Sequence, residues 1–257
     1  MAIGSESRLD VIGGRLTGVW DLLKRRWWVA LGLLAALIAV TLWAGSCWLR
    51  PMRSPAFWEA AIASYEELDR ANPPDPGAIL FTGSSSIRLW GSLAEDMAPL
   101  RVLNRGFGGS HIDHVSHFAK RIVLPYRPRA VVLYAGDNDL AQGSGKTPAS
   151  VLADFQHFVG LVHAALPATP VYFVAIKPSL ARWDRWPEMS RANTQIEAWA
   201  ATTSGVEYFD IAAPMLGASG EPRGELFIFD GLHLSGEGYE VWTEVIRPVL
   251  LARHPPR

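Results

Sequence analysis

Five short apolar runs separated by helical patterns narrow most sharply what this chain can become. The runs are 78–82, 101–104, 130–135, 171–176 and 207–210. Each is short enough for a strand, and AVVLYA at 130–135 is apolar almost throughout, as in a strand covered on both faces. The clearest helical pattern runs over 148–166. Val151, Leu152, Phe155, Phe158, Val159 and Val162 follow its repeat. Thr147 is placed to cap it, and Pro148 suits its first position. A helix is also expected over 57–71, stopped by the Pro-rich turn 72–77. A last helix is expected over 237–251, where Pro248 should kink it or end its regular hydrogen bonding. Strands alternating with helices imply a mostly parallel sheet of about five strands between two helical layers, a three-layer α/β/α sandwich.

The chain has 257 residues, 49% of them hydrophobic. Part of that content lies in one place. From Trp27 to Leu49 no residue is charged, a run of about 23 residues, enough to cross a bilayer as a helix. Trp27, Trp28, Trp43 and Trp48 flank it as interfacial aromatics do, and Lys24, Arg25 and Arg26 on its N-terminal side favour an inside N-terminus. The expected organisation is a cytoplasmic segment 1–26, a transmembrane signal anchor 27–49, a linker 50–56 and a catalytic domain 57–257 outside the cytoplasmic membrane. A cleaved signal peptide, a lipoprotein site at Cys47 and a buried core helix are the alternatives. The net charge of −1 gives no footprint for nucleic acid. The single cysteine cannot form an internal disulfide and does not decide the compartment.

In a parallel sheet, sites form beyond the carboxyl ends of the strands. There the sequence reads Gly83-Ser84-Ser85-Ser86, then Asn104-Arg105-Gly106-Phe107-Gly108-Gly109-Ser110, then Gly136-Asp137-Asn138-Asp139. Asp230-Gly231-Leu232-His233 precedes the last helix. A serine in a strand-to-helix turn sits where backbone N–H groups are free to hold an oxyanion, so Ser85 reads as a nucleophile. Taken one at a time, each segment has a plainer reading. The serines would cap a helix, Asn138 and Asp139 would form a turn, and His233 would be a surface histidine.

Taken together, the four segments resemble the blocks of the SGNH hydrolase superfamily, the GDSL-like lipases and acylhydrolases, over about 57–251. The resemblance implies a flavodoxin-like α/β fold and ester hydrolysis without metal or cofactor. It makes Ser85 the nucleophile, Asp230 and His233 the acid and base, and Ser85, Gly109 and Asn138 the oxyanion donors. Ser84 stands where the family's eponymous acidic residue would be, which leaves Ser84 and Ser86 as fallback nucleophiles. The site implied is not the Gly-x-Ser-x-Gly elbow, because position 87 is Ile. Phe107, Trp183 and Trp186 are candidates for substrate contact, with Trp90 behind them. The expected substrate is a small ester, a lipid or an acylated glycan. An envelope-glycan O-acyltransferase using the same site and a non-catalytic binding module are the rival readings.

Other signals lead nowhere. Gly143-Ser144-Gly145-Lys146-Thr147 has the end of a P-loop but Leu140 where its first glycine belongs, and the dinucleotide fingerprint begun at Gly106 would need its third glycine at His111. His111, His114 and His117 are spaced too widely for one tight metal face, and a helix surface is their expected place.

Overall fold

The computed structural model describes residues 31–37 and 54–256. Two units are distinguished, Met1–Ser54 and Pro55–Arg257. In the first, residues 31–37 are helical and exposed at every position. The rest of the expected membrane-spanning run, the segment 1–26 and most of the linker lie outside the described residues. Among the described residues, no helix is long and apolar enough to cross a membrane.

In the second unit the apolar runs become strands β1 (Ile79–Gly83), β2 (Val102–Gly106), β3 (Ala130–Tyr134), β4 (Val171–Val174) and β5 (Val206–Phe209). All four pairings are parallel, in the order β2-β1-β3-β4-β5. The helices are α1 (Glu59–Ala71), α2 (Ser85–Arg88), α3 (Leu93–Asp96), α4 (Ile112–Ile122), α5 (Pro148–Ala165), α6 (Trp186–Ala200) and α7 (Gly236–Arg253).

The period-two alternation of each strand sends its side chains to two different cores. Leu80, Val131, Leu133, Val171 and Phe173 join Ile62, Phe118, Phe155 and Ile196 from α1, α4, α5 and α6. Ile79, Phe81, Val132, Tyr134 and Val174 join Ile87, Leu93, Trp242 and Ile246 from α2, α3 and α7. Both faces are therefore covered, which is why the central strands β3 and β4 are apolar from end to end.

The cap expected on the long helix is present. Thr147 Oγ1 accepts from the Ser150 amide at 3.3 Å, and Ser150 Oγ accepts from the Thr147 amide at 2.9 Å. The last helix lies where it was expected: α7 runs from Gly236 through Pro248 to Arg253. Its Ile246 and Leu250 stay fully buried on either side of the proline, so packing holds the turn that the missing N–H leaves open.

Candidate active site

The site begins at Gly83. The residue ends β1 with φ +128°, and a Cβ there would lie 1.8 Å from the Tyr134 carbonyl oxygen of β3. Only glycine lets the strand turn this close to its neighbour. The Ser84 amide then donates to that same oxygen at 2.9 Å, and α2 starts at Ser85. This turn separates the three serines. Ser84 and Ser86 are buried, and Ser85 is half-exposed. Ser84 Oγ has no hydrogen-bond partner, and Ser86 Oγ accepts from Lys177 Nζ at 3.2 Å. Ser85 Oγ lies 2.9 Å from His233 Nε2.

His233 Nδ1 lies 2.6 Å from Asp230 Oδ2. The same carboxylate accepts from the Leu232 and His233 amides through Oδ1, both at 2.9 Å. Burial works to raise the Asp230 pKa, but the imidazole and the two amides hold it down at about 2. An ionised carboxylate only accepts, so the proton on Nδ1 faces Asp230 and Nε2 is left to accept from the serine hydroxyl. The short loop achieves this because Asp230 and His233 are three residues apart and the chain between them turns back. The Gly231 amide donates to the Ile228 carbonyl, and the Ile228 amide to the His233 carbonyl, each at 2.9 Å.

The oxyanion candidates leave neighbouring strands. Gly83 is paired with Gly106 of β2 on one side and with Tyr134 of β3 on the other, so the loops carrying Ser85, Gly109 and Asn138 start side by side. Gly109 has φ +77°. Asn138 Nδ2 donates to the Ser110 carbonyl at 3.2 Å, which ties the second and third loops together.

Two residues at this edge escaped the sequence reading. Arg182 Nη2 donates to Asn138 Oδ1 at 2.9 Å, and Arg182 Nη1 lies 3.3 Å from Asp137 Oδ2. Occupying the amide oxygen fixes which way the Asn138 amide points. Lys177, 1% exposed, places Nζ 2.9 Å from Tyr134 Oη and 3.2 Å from Asp137 Oδ2. Burial pulls the Lys177 pKa down while Asp137 opposes it. Burial works to raise Asp137, but the charges of Lys177 and Arg182 hold it at about 2. The available signal was position: Lys177 follows an apolar run at the carboxyl end of β4, the edge where the other blocks gather.

The expectations for Phe107, Trp90 and the three histidines are corrected. Phe107, expected at the substrate, is 1% exposed and packs edge-on against Trp58 and Phe118, at 5.8 and 5.9 Å between centroids. Its amide extends the sheet edge by donating to the Gly83 carbonyl at 2.8 Å, which carries the ring inward. Trp90 is likewise core, stacked on Tyr239 at 5.1 Å. Trp183 and Trp186 are half-buried and stacked at 6.0 Å, with Trp186 packed against both cores at the start of α6. The histidines do not share a helix surface. His111 precedes α4 as its N-cap, His114 is buried and His117 is exposed. His111, Asp113 and His114 do bring potential ligand atoms within 4.8 Å of one another, as do Asp113, Asp139 and Asp154. The three carboxylates converge on Lys146 Nζ at 3.0, 3.0 and 2.8 Å. That ammonium occupies the point on which the three carboxylates converge.

Residues 75–241 match the GDSL-like Lipase/Acylhydrolase family. No curated protein matches the chain. Solved structures share the fold. A protein from Streptococcus pneumonia, provisionally named a platelet activating factor, is 19% identical with a TM-score of 0.69, over 82% of this chain and 99% of its own. A GDSL-like lipase from Bacteroides thetaiotaomicron is 19% identical with a TM-score of 0.64, over 75% and 98%. The acetylxylan esterase Axe2 from Geobacillus stearothermophilus is 14% identical with a TM-score of 0.56, over 71% and 96%. The chain belongs to the GDSL-like lipase/acylhydrolase family of the SGNH hydrolase superfamily, and it is an esterase or acylhydrolase of that type.

Proposed function

We propose that Ser85, His233 and Asp230 form a catalytic triad that hydrolyses carboxylic esters through an acyl-enzyme. The observation that carries this reading is the continuous hydrogen-bonded chain from the Ser85 hydroxyl through His233 to Asp230. His233 Nε2 takes the hydroxyl proton as Ser85 Oγ attacks the ester carbonyl. The resulting oxyanion is held by the Ser85 and Gly109 amides and the Asn138 side-chain amide, donors fixed before the reaction starts. The tetrahedral intermediate collapses, His233 gives the proton to the departing alkoxide, and Ser85 keeps the acyl group. Water, deprotonated by His233, then repeats the attack and frees the acid. Asp230 stays ionised throughout and stabilises the imidazolium. The acylated-sugar class of substrate is supported by the acetylxylan esterase among the structural relatives.

The domain is anchored outside the cytoplasmic membrane by the uncharged run Trp27–Leu49, with Lys24-Arg25-Arg26 on the inner side. A reporter fused after Arg257 that works only outside the cytoplasm is the expected result, and one active only inside overturns it.

The catalytic test is release of p-nitrophenol from p-nitrophenyl acetate. Ser85→Ala and His233→Ala are expected to lower kcat by about 10⁴-fold or more. Ser84→Ala, which removes an unpartnered hydroxyl, is expected to leave it near wild type. Unchanged turnover in Ser85→Ala sinks the assignment.

A further inference from the structure

Among the described residues of the catalytic unit, six large apolar side chains are exposed: Phe57, Leu68, Leu89, Leu180, Ile228 and Phe229. Five of them belong to segments that build or touch the site. Ile228 and Phe229 directly precede Asp230, and Phe229 is fully exposed at the apex of the turn closed by the Gly231–Ile228 hydrogen bond. Leu180 lies against the other side of that turn. Its Cβ is 3.1 Å from where a Cβ of Gly231 would be, and the next amide, Ala181, donates to the Gly231 carbonyl at 3.0 Å. Leu89 is one helical turn beyond Ser85, whose carbonyl accepts from the Leu89 amide at 2.8 Å. Phe57 neighbours Trp58, whose indole N–H donates to the Gly108 carbonyl in the loop that carries Gly109, at 2.8 Å. A turn apex is ordinarily polar, so a bare phenyl there calls for an apolar partner.

The chain itself says which partner. The catalytic unit begins at Pro55, three residues before Trp58 and so on the same edge as the Ser85 loops. Five residues separate it from Leu49, the end of the uncharged run, and the six Cα-to-Cα steps fully extended span about 20 Å. A tether this short limits how far Pro55 can lie from any surface in which the run is anchored. Residues 31–37 of the run expose Leu31, Leu33, Leu34 and Leu37, as a lipid-facing helix does. A bilayer also suits separate apolar tips better than a protein groove, because lipid fills the space between them. Arg88 adds a cation to the same rim, exposed and with its Nε 3.2 Å from where a Cβ of Gly108 would be, suited to phosphate headgroups.

We propose that the rim of the Ser85 site docks on the outer surface of the bilayer that holds the N-terminal run, with Phe229 leading. Its substrates are then esters presented at that surface. The inference rests on the membrane anchorage proposed above and deepens the esterase reading.

The test uses the full chain in nanodiscs holding one copy each. Cys47→Ser removes the only cysteine, and Phe229→Cys then takes an NBD label. Blue-shifted emission at 229, quenched by doxyl lipids, is expected, with water-like emission from a matched label at Ala168→Cys before β4. Water-like emission at 229 overturns the proposal, and so does a shift that appears only in discs with two copies. A second measurement compares substrates. Phe229→Ser is expected to keep p-nitrophenyl acetate turnover within about threefold and to lower turnover of a bilayer-dissolved p-nitrophenyl ester by about tenfold or more. Equal loss on both overturns the docking. A wild type with the lipid-quenched shift but no turnover of either ester supports the docking and overturns the esterase reading alone.

Discussion

Asp137 and Asp139 stand on either side of Asn138, two residues apart and both buried, yet their carboxylates are held in opposite ways. Asp137 faces two cations, Lys177 and Arg182, and stays ionised down to about pH 2. Asp139 shares one ammonium, Lys146, with Asp113 and Asp154. Three carboxylates against one ammonium leave a surplus of negative charge. The most buried of the three is the one pushed up, by burial first, to about 6, against the pull of Lys146 and the Ile112 amide. Its Oδ2 has no hydrogen-bond partner. The lesson is that a buried carboxylate is set by the count of charges around it and not by depth alone. Of the two cation systems, only the Asp137 side grips the amide between them, through Arg182.

The strongest way to break the comparison is Asp137→Asn. It leaves the Lys177 ammonium buried without its counter-charge, and a loss of about 3–5 kcal/mol in urea unfolding is expected. That loss should be present above pH 4 and shrink as pH falls toward 2, because the lowered pKa contributes stability only where the unfolded carboxyl is ionised. Arg182→Ala comes next. It frees the Asn138 amide oxygen, and kcat on p-nitrophenyl acetate should fall by about tenfold with KM unchanged, the kinetic equivalent of one hydrogen bond. Restoration by Arg182→Lys would show that charge alone suffices, whereas continued loss shows that the planar fork is needed. The smallest effect belongs to Asp139→Asn, and its sign is the sharper test. A raised pKa favours the fold below the unfolded value and loses that advantage as pH climbs to about 6. The destabilisation by Asp139→Asn should therefore shrink from pH 4 to pH 6, the reverse of the trend in Asp137→Asn. Parallel trends would mean that the two carboxylates are not differently held.

Much of this was legible before any coordinates. Each strand lies within two residues of its apolar run at either end, because a strand covered on both faces leaves a continuous apolar signature. Thr147 and Pro148 marked a helix start because capping is local chemistry. Ser85, His233 and Asp230 could be singled out as candidates because they sit in short, recognisable blocks, and the structure brings the three within hydrogen-bond distance of one another. What stayed hidden depends on distant partners. Phe107 looks like a loop aromatic until Trp58 and Phe118 close over it. Lys177 and Arg182 look like ordinary surface cations, and only the meeting of β3, β4 and α2 puts Tyr134, Asp137 and Ser86 around one of them. Pro248 reads as a kink or a gap in the hydrogen bonding of the last helix, and the burial of its neighbours, which holds that turn, is a tertiary fact.

The Tyr134 oxygen that crowds Gly83 also bears on how this enzyme can diversify. Every substitution at position 83 adds a carbon where the adjoining strand leaves no room, so a saturation library there should return glycine alone. New substrate ranges must come instead from the segments after β4 and before α7, which can lengthen or change character while the serine keeps its station.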